Sequence, residues 1–325
     1  MNTLERPTIE DLEIAYSMPS YLDTAVVMAG GVGTRDLPWS KLLPKELAEV
    51  YGLPLISHVV MDLIEAGVEN VITVVGEDYD EFGQNYQEIL HKRWFGPSER
   101  LEKYLIANNK AHLLDKLNQS RGVNFEYIRQ PSCKKYGTAI PLYVAKPALK
   151  GVGRFISVNG DDLMQSVNGT PPLREYVESS KLSEAPNSMM VKRVTRMRKN
   201  AYPYGIALRD ENGMLDELLE KPAAELITGI PLANVGKYIF EEHEILSALS
   251  SYVRLPRKKR NQDEYYLTDV ISNLDQVYVH VTSSQFLDAG DKDLRLIAGM
   301  TKAGMPKEII AAARKHLAQQ SKQKR

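Results

Sequence analysis

Residues 24–47 read TAVVMAGGVGTRDLPWSKLLPKEL. The first six, Thr24 to Ala29, are apolar and rich in β-branched side chains, and they stop at Gly30-Gly31, the pattern of a buried parallel strand entering a tight turn. Glycines at 30, 31 and 33 let the backbone turn sharply and come close to a ligand, leaving amide hydrogens free to bind phosphate oxygens. Arg35 and Lys45 add fixed positive charge. The stretch therefore predicts a polyanion site at the end of the first strand. A dinucleotide-binding turn fits poorly, because its third glycine is absent and Pro38 and Pro44 break the helix that should open at once. A Walker phosphate loop, GxxxxGK[ST], occurs nowhere in the chain. Taken alone, a structural glycine turn with surface cations remains the competing reading.

Beyond this turn the pattern alternates. A helical periodicity from Ile56 to Ala66 leads into the apolar run Val71 to Val75, which completes a βαβ unit. Further strands are expected at Phe125–Arg129, Phe155–Asn159, Met189–Val194 and Tyr278–Val281, with helices at Ala139–Ala145, Leu267–Leu274 and Pro306–Gln319. The fold class is α/β: a doubly wound mixed, mostly parallel sheet flanked by helices, with a small antiparallel region late in the chain. Residues 1–22 read as an N-terminal arm with a short amphipathic piece, Ile9 to Met18. Residues 23–315 read as one domain. Within it, 79–123 is a helical insert expected to pack as an arm or flap, with Leu101, Leu105, Leu113, Leu114 and Leu117 at roughly helical spacing. Residues 316–325 read as a charged C-terminal tail whose last five, SKQKR, are frayed and solvated.

Composition narrows the classes. The 41 basic and 42 acidic residues of the 325 nearly cancel, which argues against a nucleic-acid or anionic-membrane partner. The single cysteine, Cys133, excludes an intrachain disulfide framework and a cysteine-rich zinc site and suits a reducing, cytoplasmic compartment. Glu5, Glu10, Asp11 and Glu13 replace the basic start of a signal peptide, and no run nears the roughly 18 apolar residues of a membrane span.

The run GxGTRxLPxSKxxPKE, from Gly31 to Glu46, resembles the signature of the sugar-nucleotide pyrophosphorylases, most closely the bacterial UTP–glucose-1-phosphate uridylyltransferases. Other matches follow in family order. Arg129-Gln130 precedes PSCKKYGTAI, placing Gln130 and Gly137 at the family's base-reading positions, and an amide offers the donor and acceptor that a uracil edge requires. ISVNGDDLM (156–164) ends a strand in paired aspartates, and FLDAG (286–290) resembles the second aspartate motif. Tyr204-Gly205, Glu220-Lys221-Pro222, Val235-Gly236 and EYYLTD (264–269) resemble the sugar-side motifs. By itself the Glu220-Lys221 pair reads equally as a solvated ion pair.

The resemblance implies transfer of a nucleotide onto a sugar 1-phosphate with loss of pyrophosphate. It assigns Ala29, Gly30, Gly31, Gly33, Thr34, Gln130 and Gly137 to the nucleotide, and Arg35, Lys45 and Lys221 to catalysis. Asp162, Tyr204, Gly205, Glu220, Lys221, Gly236 and Glu264 fall to the sugar phosphate. Asp161 and Asp288 would share a magnesium ion, a hard cation satisfied by one or two carboxylates plus phosphate oxygens. The attacking phosphate is already an anion, so no general base is required, and the six histidines are scattered with no GxSxG elbow. The resemblance further implies a homo-oligomer, dimer or tetramer. A thymidylyltransferase is the nearest rival; a non-catalytic nucleotide-sugar sensor is the rival from another class. Three features depart from the family: Asp36 puts a negative charge beside the triphosphate site, Pro131 and Tyr136 stand where smaller residues are common, and Arg257–Arg260 form a basic run.

Overall fold

The computed structural model describes residues 22–79, 81–131, 135–194, 204–227, 229–255, 264–290 and 292–323. The N-terminal arm up to residue 21, Cys133 and the basic run 257–260 lie outside the described residues.

Nine strands form the main sheet: β1 (Thr24–Ala29), β2 (Asn70–Gly76), β3 (Asn124–Gln130), β4 (Arg154–Asn159), β5 (Asn187–Arg193), β6 (Ile206–Arg209), β7 (Leu215–Leu219), β8 (Leu232–Glu241) and β9 (Val277–Val281). Their order is β7-β6-β8-β4-β1-β2-β3, and β5 and β9 extend from the other edge of β8. Only β7 and β8 run against the rest, which is the mixed, mostly parallel arrangement expected. Every residue of β1 is buried because both faces are covered. Val26 and Met28 enter one core layer with the helix Ile140–Leu149, while Ala25, Val27 and Ala29 enter the other with the helix Leu55–Glu65.

The chain passes from β1 outward to β2 and β3 and then returns to β4 on the opposite side of β1. That reversal opens a crevice at the carboxyl ends of β1 and β4, the place where open α/β sheets bind ligands. The glycine turn and Asp161 both leave from it.

Four sequence expectations are corrected. The longest strand, β8, is absent from the sequence prediction because Asn234, Gly236 and Lys237 interrupt its apolar pattern. Gly236 has φ 67°, and the pairing of β8 with β5 shifts register around it. The insert forms helices Tyr86–Phe95, Glu99–Ala107 and Leu114–Leu117, yet none of its described residues lines the cleft: Phe95 stacks on Phe125 of β3 at 4.7 Å and fixes the insert to the face that also carries the helix Leu55–Glu65. The last helix runs Lys307–Gln323, through most of the supposed tail, because alanine, glutamine and lysine favour helix and no breaker intervenes. Last, Asp36 does not face the phosphate site; it is buried against Arg295 on the helix Lys292–Lys302. Among the described residues, no helix is long and apolar enough to cross a membrane.

Candidate active site

The crevice holds a cleft of about 550 Å³. Its phosphate side is the turn after β1. Gly33, at φ 68°, lets the chain curl into the short helical turn Thr34–Asp36, and Arg35 from that turn reaches the cleft. Lys45 comes back over Gly31, where a Cβ would stand 3.3 Å from its Cε. The Lys45 ammonium donates to Asp161 Oδ2 at 2.5 Å and lies 3.6 Å from Glu46 Oε1. Burial works to lower the Lys45 pKa, but the Asp161 and Glu46 carboxylates outweigh it, so the ammonium stays charged. Glu46, 1% exposed, is pushed up to about 7 by burial, against the pull of Lys45. Burial alone would raise the Asp161 carboxyl, yet Lys45 and then Arg35 hold it below the ordinary range.

Gly290 marks where the acidic motifs meet. A Cβ there would lie 2.9 Å from Arg35 Nη2, 3.2 Å from Asp288 Oδ1 and 3.3 Å from Asp161 Oδ2, so these side chains converge on one point. Asp161 follows β4, and Asp288 ends the strand Gln285–Asp288, which pairs antiparallel with Asp162–Gln165. That pairing brings together two motifs far apart in sequence. Burial, then the charges of Asp161 and Asp288, push Asp162 up to about 8, so near neutral pH it adds little negative charge beside the Asp161 and Asp288 carboxylates. Among the described residues, no group of three or more acidic, histidine or cysteine side chains makes a closed metal cage. Two convergent carboxylates that leave room for phosphate oxygens and water suit magnesium, which favours such open sites.

On the base side, Gln130 ends β3 with its Oε1 buried and lacking a hydrogen-bond partner, and a Cβ at Gly30 would stand 2.7 Å from that oxygen. Gly137, at φ 134°, packs so tightly on the Tyr265 backbone that a side chain would collide with it. Around it Tyr265 N donates to Tyr136 O, Ala139 N to Tyr265 O and Leu267 N to Thr138 Oγ1, stitching the base loop to segment 265–267.

The sugar side lies opposite. Thr268 Oγ1 donates to Glu220 Oε2 at 3.1 Å, and Lys221 Nζ stands 3.6 Å from Glu220 Oε1 and 5.3 Å from the centre of the Tyr266 ring. Lys221 has φ 46°, a conformation unusual for a non-glycine residue and one that clusters at ligand sites. Burial raises the Glu220 pKa against the pull of Lys221. The pair is thus an ion pair and part of the cleft wall at once. Tyr204 donates from its hydroxyl to Asp288 Oδ2 at 3.4 Å, tying the sugar side to the acidic cluster. Gly236 leaves room for Asn159 and Asp162, whose side chains would collide with a Cβ there.

Gly30, Gly31, Arg35, Lys45, Gln130, Gly137, Asp161, Asp162, Tyr204, Gly205, Glu220, Lys221, Gly236, Glu264 and Asp288 all line this one cleft. Ala29, Gly33 and Thr34 do not: Ala29 is fully buried in β1, and the other two shape the turn behind Arg35. Tyr136 lines the cleft as well, so that departure bears on the base pocket.

Sequence reasoning missed three residues that position the site. Asn159 Nδ2 donates to Asp162 Oδ2 at 2.5 Å. Lys237, 1% exposed, donates to the Asp162 carbonyl at 2.8 Å, with burial lowering its pKa. Glu46 is the third. A lysine embedded in the run VGKYIF was the available signal for Lys237; Asn159 and Glu46 stand inside the quoted motifs ISVNGDDLM and PKE, but nothing local shows which side chains they meet.

Known proteins share the chain's sequence pattern and fold. A UTP–glucose-1-phosphate uridylyltransferase of Staphylococcus saprophyticus is 29% identical over 279 residues, covering 82% of this chain and 87% of that one. The UTP-bound UGPase of Acinetobacter baumannii superposes with a TM-score of 0.71 at 26% identity, over 91% of this chain and 98% of the other. An apo UDP-glucose pyrophosphorylase superposes with a TM-score of 0.73 over 87% of this chain and 98% of that one; at 23% identity it speaks for the fold alone. The pattern of the family described as nucleotidyl transferase matches residues 24–294, and the chain belongs to that family.

Proposed function

We propose that the protein joins UTP to glucose 1-phosphate, forming UDP-glucose and pyrophosphate, with magnesium held by Asp161 and Asp288. The observation that carries this reading is the convergence of the glycine turn, Gln130, the Asp161–Asp288 pair and Glu220-Lys221 on one cleft. A sugar-phosphate oxygen attacks the α-phosphorus, and the bond from that phosphorus to the pyrophosphate oxygen breaks. Both substrates are polyanions, so the protein's task is to bring them into line and offset the charge growing on bridging and leaving oxygens. Bound magnesium would supply part of that neutralisation at the α-phosphate.

The chain's own groups do the rest. Arg35 and the amides of the turn hold the β and γ phosphates of the leaving group. Lys45, charged and resting on Asp161, is placed to turn to the transferring phosphate. Lys221 holds the sugar phosphate and Glu220 the sugar hydroxyls, with Glu264 beside them at the cleft wall. The unpartnered Gln130 amide oxygen is available to accept from the imide of uracil. The single cysteine fits action in the reducing cytoplasm, and the family resemblance carries the expectation of a homo-oligomer.

Pyrophosphate release should be measured with UTP, dTTP, CTP, ATP and GTP against glucose 1-phosphate, with and without magnesium. UTP is expected to give the highest kcat/KM, and omission of magnesium to abolish release. A higher value with dTTP would make the protein a thymidylyltransferase, and silence with every pair would favour a sensor.

A further inference from the structure

Lys221, the cation assigned to the sugar phosphate, has a half-exposed side chain, and Glu220 Oε1 stands 3.6 Å from its ammonium. An ion pair so exposed holds a flexible lysine weakly. Glu220 is also drawn elsewhere, since its Oε2 accepts from Thr268 Oγ1. The other neighbour is the Tyr266 ring, whose centre lies 5.3 Å from Lys221 Nζ, within reach of cation–π attraction. A second carboxylate in that place would compete with an incoming phosphate. An aromatic face attracts the ammonium without neutralising it, so the full charge stays available to the ligand.

Tyr266 is itself firmly held. It is 8% exposed and stands at the N-cap of the short helix Leu267–Ile271. Its backbone N donates to the Tyr252 hydroxyl at 3.2 Å, and that hydroxyl donates to Asp269 Oδ2. At the far end of the ring the Tyr266 hydroxyl hydrogen-bonds the Glu264 carboxylate. Burial, then the Glu264 charge, push the phenol up to about 12, so it keeps its proton and is the donor. The carboxylate retains lone pairs for a ligand. Lys221, Tyr266 and Glu264 all line the cleft.

We propose that Tyr266 is the positioning residue of the sugar side: its ring face sets Lys221 for the sugar phosphate, and its hydroxyl sets Glu264 for the sugar hydroxyls. One rigid side chain thus fixes the separation between the cation and the carboxylate that read two parts of one ligand. The roles of Lys221 and Glu264 rest on the proposed reaction; the contacts of Tyr266 do not, and they are tested without turnover.

Reductive methylation with isotope-labelled formaldehyde turns each lysine into a charged dimethylammonium reporter, and loss of a signal in Lys221→Arg assigns the one from Lys221. In the otherwise native chain that resonance should lie upfield of exposed lysines, shifted by the ring current. Tyr266→Leu should return it to the exposed position, and Tyr266→Phe should not. A Lys221 resonance already at the exposed position overturns the proposal, whatever the substrates. Kinetics read the consequence. Tyr266→Leu should raise KM for glucose 1-phosphate about 5-fold with KM for UTP unchanged, and Tyr266→Phe should restore it. Tyr266→Phe should instead cut the preference for glucose 1-phosphate over galactose 1-phosphate by about 5-fold, because Glu264 loses its donor. Equal KM for glucose 1-phosphate in the native and Tyr266→Leu chains overturns the positioning role. So does a parallel rise in both KM values with a lowered Tm, the mark of a merely structural ring. A shifted resonance in a chain that turns over no sugar phosphate would confirm the contact and sink the proposed reaction instead.

Discussion

Asp36 and Arg295, 259 residues apart in sequence, meet through two parallel hydrogen bonds of 2.7 and 2.8 Å with both side chains buried. The pair ties the phosphate turn to the helix Lys292–Lys302 and, through the bond from Arg295 to the Ala289 carbonyl, to the segment carrying Asp288. Removing one partner strands the other's charge. Arg295→Met should therefore cost about 3–5 kcal/mol and lower Tm by several degrees, while the double variant with Asp36→Asn recovers part of the loss. Urea unfolding of the two single variants and the double variant measures it; strict additivity would mean that the two side chains do not depend on each other.

Two glycine-to-alanine variants should fail in different ways. At Gly290 the new methyl meets the end of the flexible Arg35 side chain at 2.9 Å, so Gly290→Ala should displace Arg35 and cut kcat by roughly 10²-fold with little change in Tm. At Gly137 the methyl meets the Tyr265 backbone and φ is 134°, so Gly137→Ala should destabilise by about 1–3 kcal/mol and loosen the base loop. Thermal melts beside pyrophosphate-release assays separate the two outcomes.

Loss of a cation aimed at developing charge should appear in turnover more than in substrate affinity. Lys45→Met and Arg35→Ala are each expected to lower kcat by about 10²–10³-fold with KM changed far less. Lys45→Met also leaves Asp161 and Glu46 without their cation, so its Tm should shift while that of Arg35→Ala does not. Near-normal activity in Arg35→Ala would remove it from the site.

His280, 7% exposed, has its pKa lowered to about 4 by burial and then by the Arg209 charge. The folded protein thus binds this proton less readily than the unfolded chain. Its contribution is complete above the unfolded pKa of about 6.5 and is lost as pH falls from there toward about 4, by roughly 3 kcal/mol. Unfolding free energies from pH 7 to pH 4 should fall more steeply for the native chain than for His280→Asn. Parallel curves would show that the ring titrates normally in the fold.

Local patterns were enough for much of this. The apolar β-branched run before Gly30-Gly31, the Ile56–Ala66 periodicity and the prolines at 38 and 44 gave the first βαβ unit and a phosphate turn that is neither a dinucleotide nor a Walker loop, because strand burial and glycine geometry depend on neighbours in sequence. The order of short motifs then indicated the remaining site residues, and the structure gathers Gln130, Asp161, Lys221 and Asp288 in one cleft.

What the sequence determined was which groups are present and where β1, β2, β3 and β4 end. Only the tertiary structure decided which way side chains face and what they meet. Asp36, adjacent to Arg35, turns from the phosphates to the buried guanidinium of Arg295, and Lys237, inside an apolar strand, turns to the Asp162 carbonyl. Those partners come from distant strands and helices, and a buried charge takes the orientation in which its desolvation is compensated, a balance set by packing that no local pattern records.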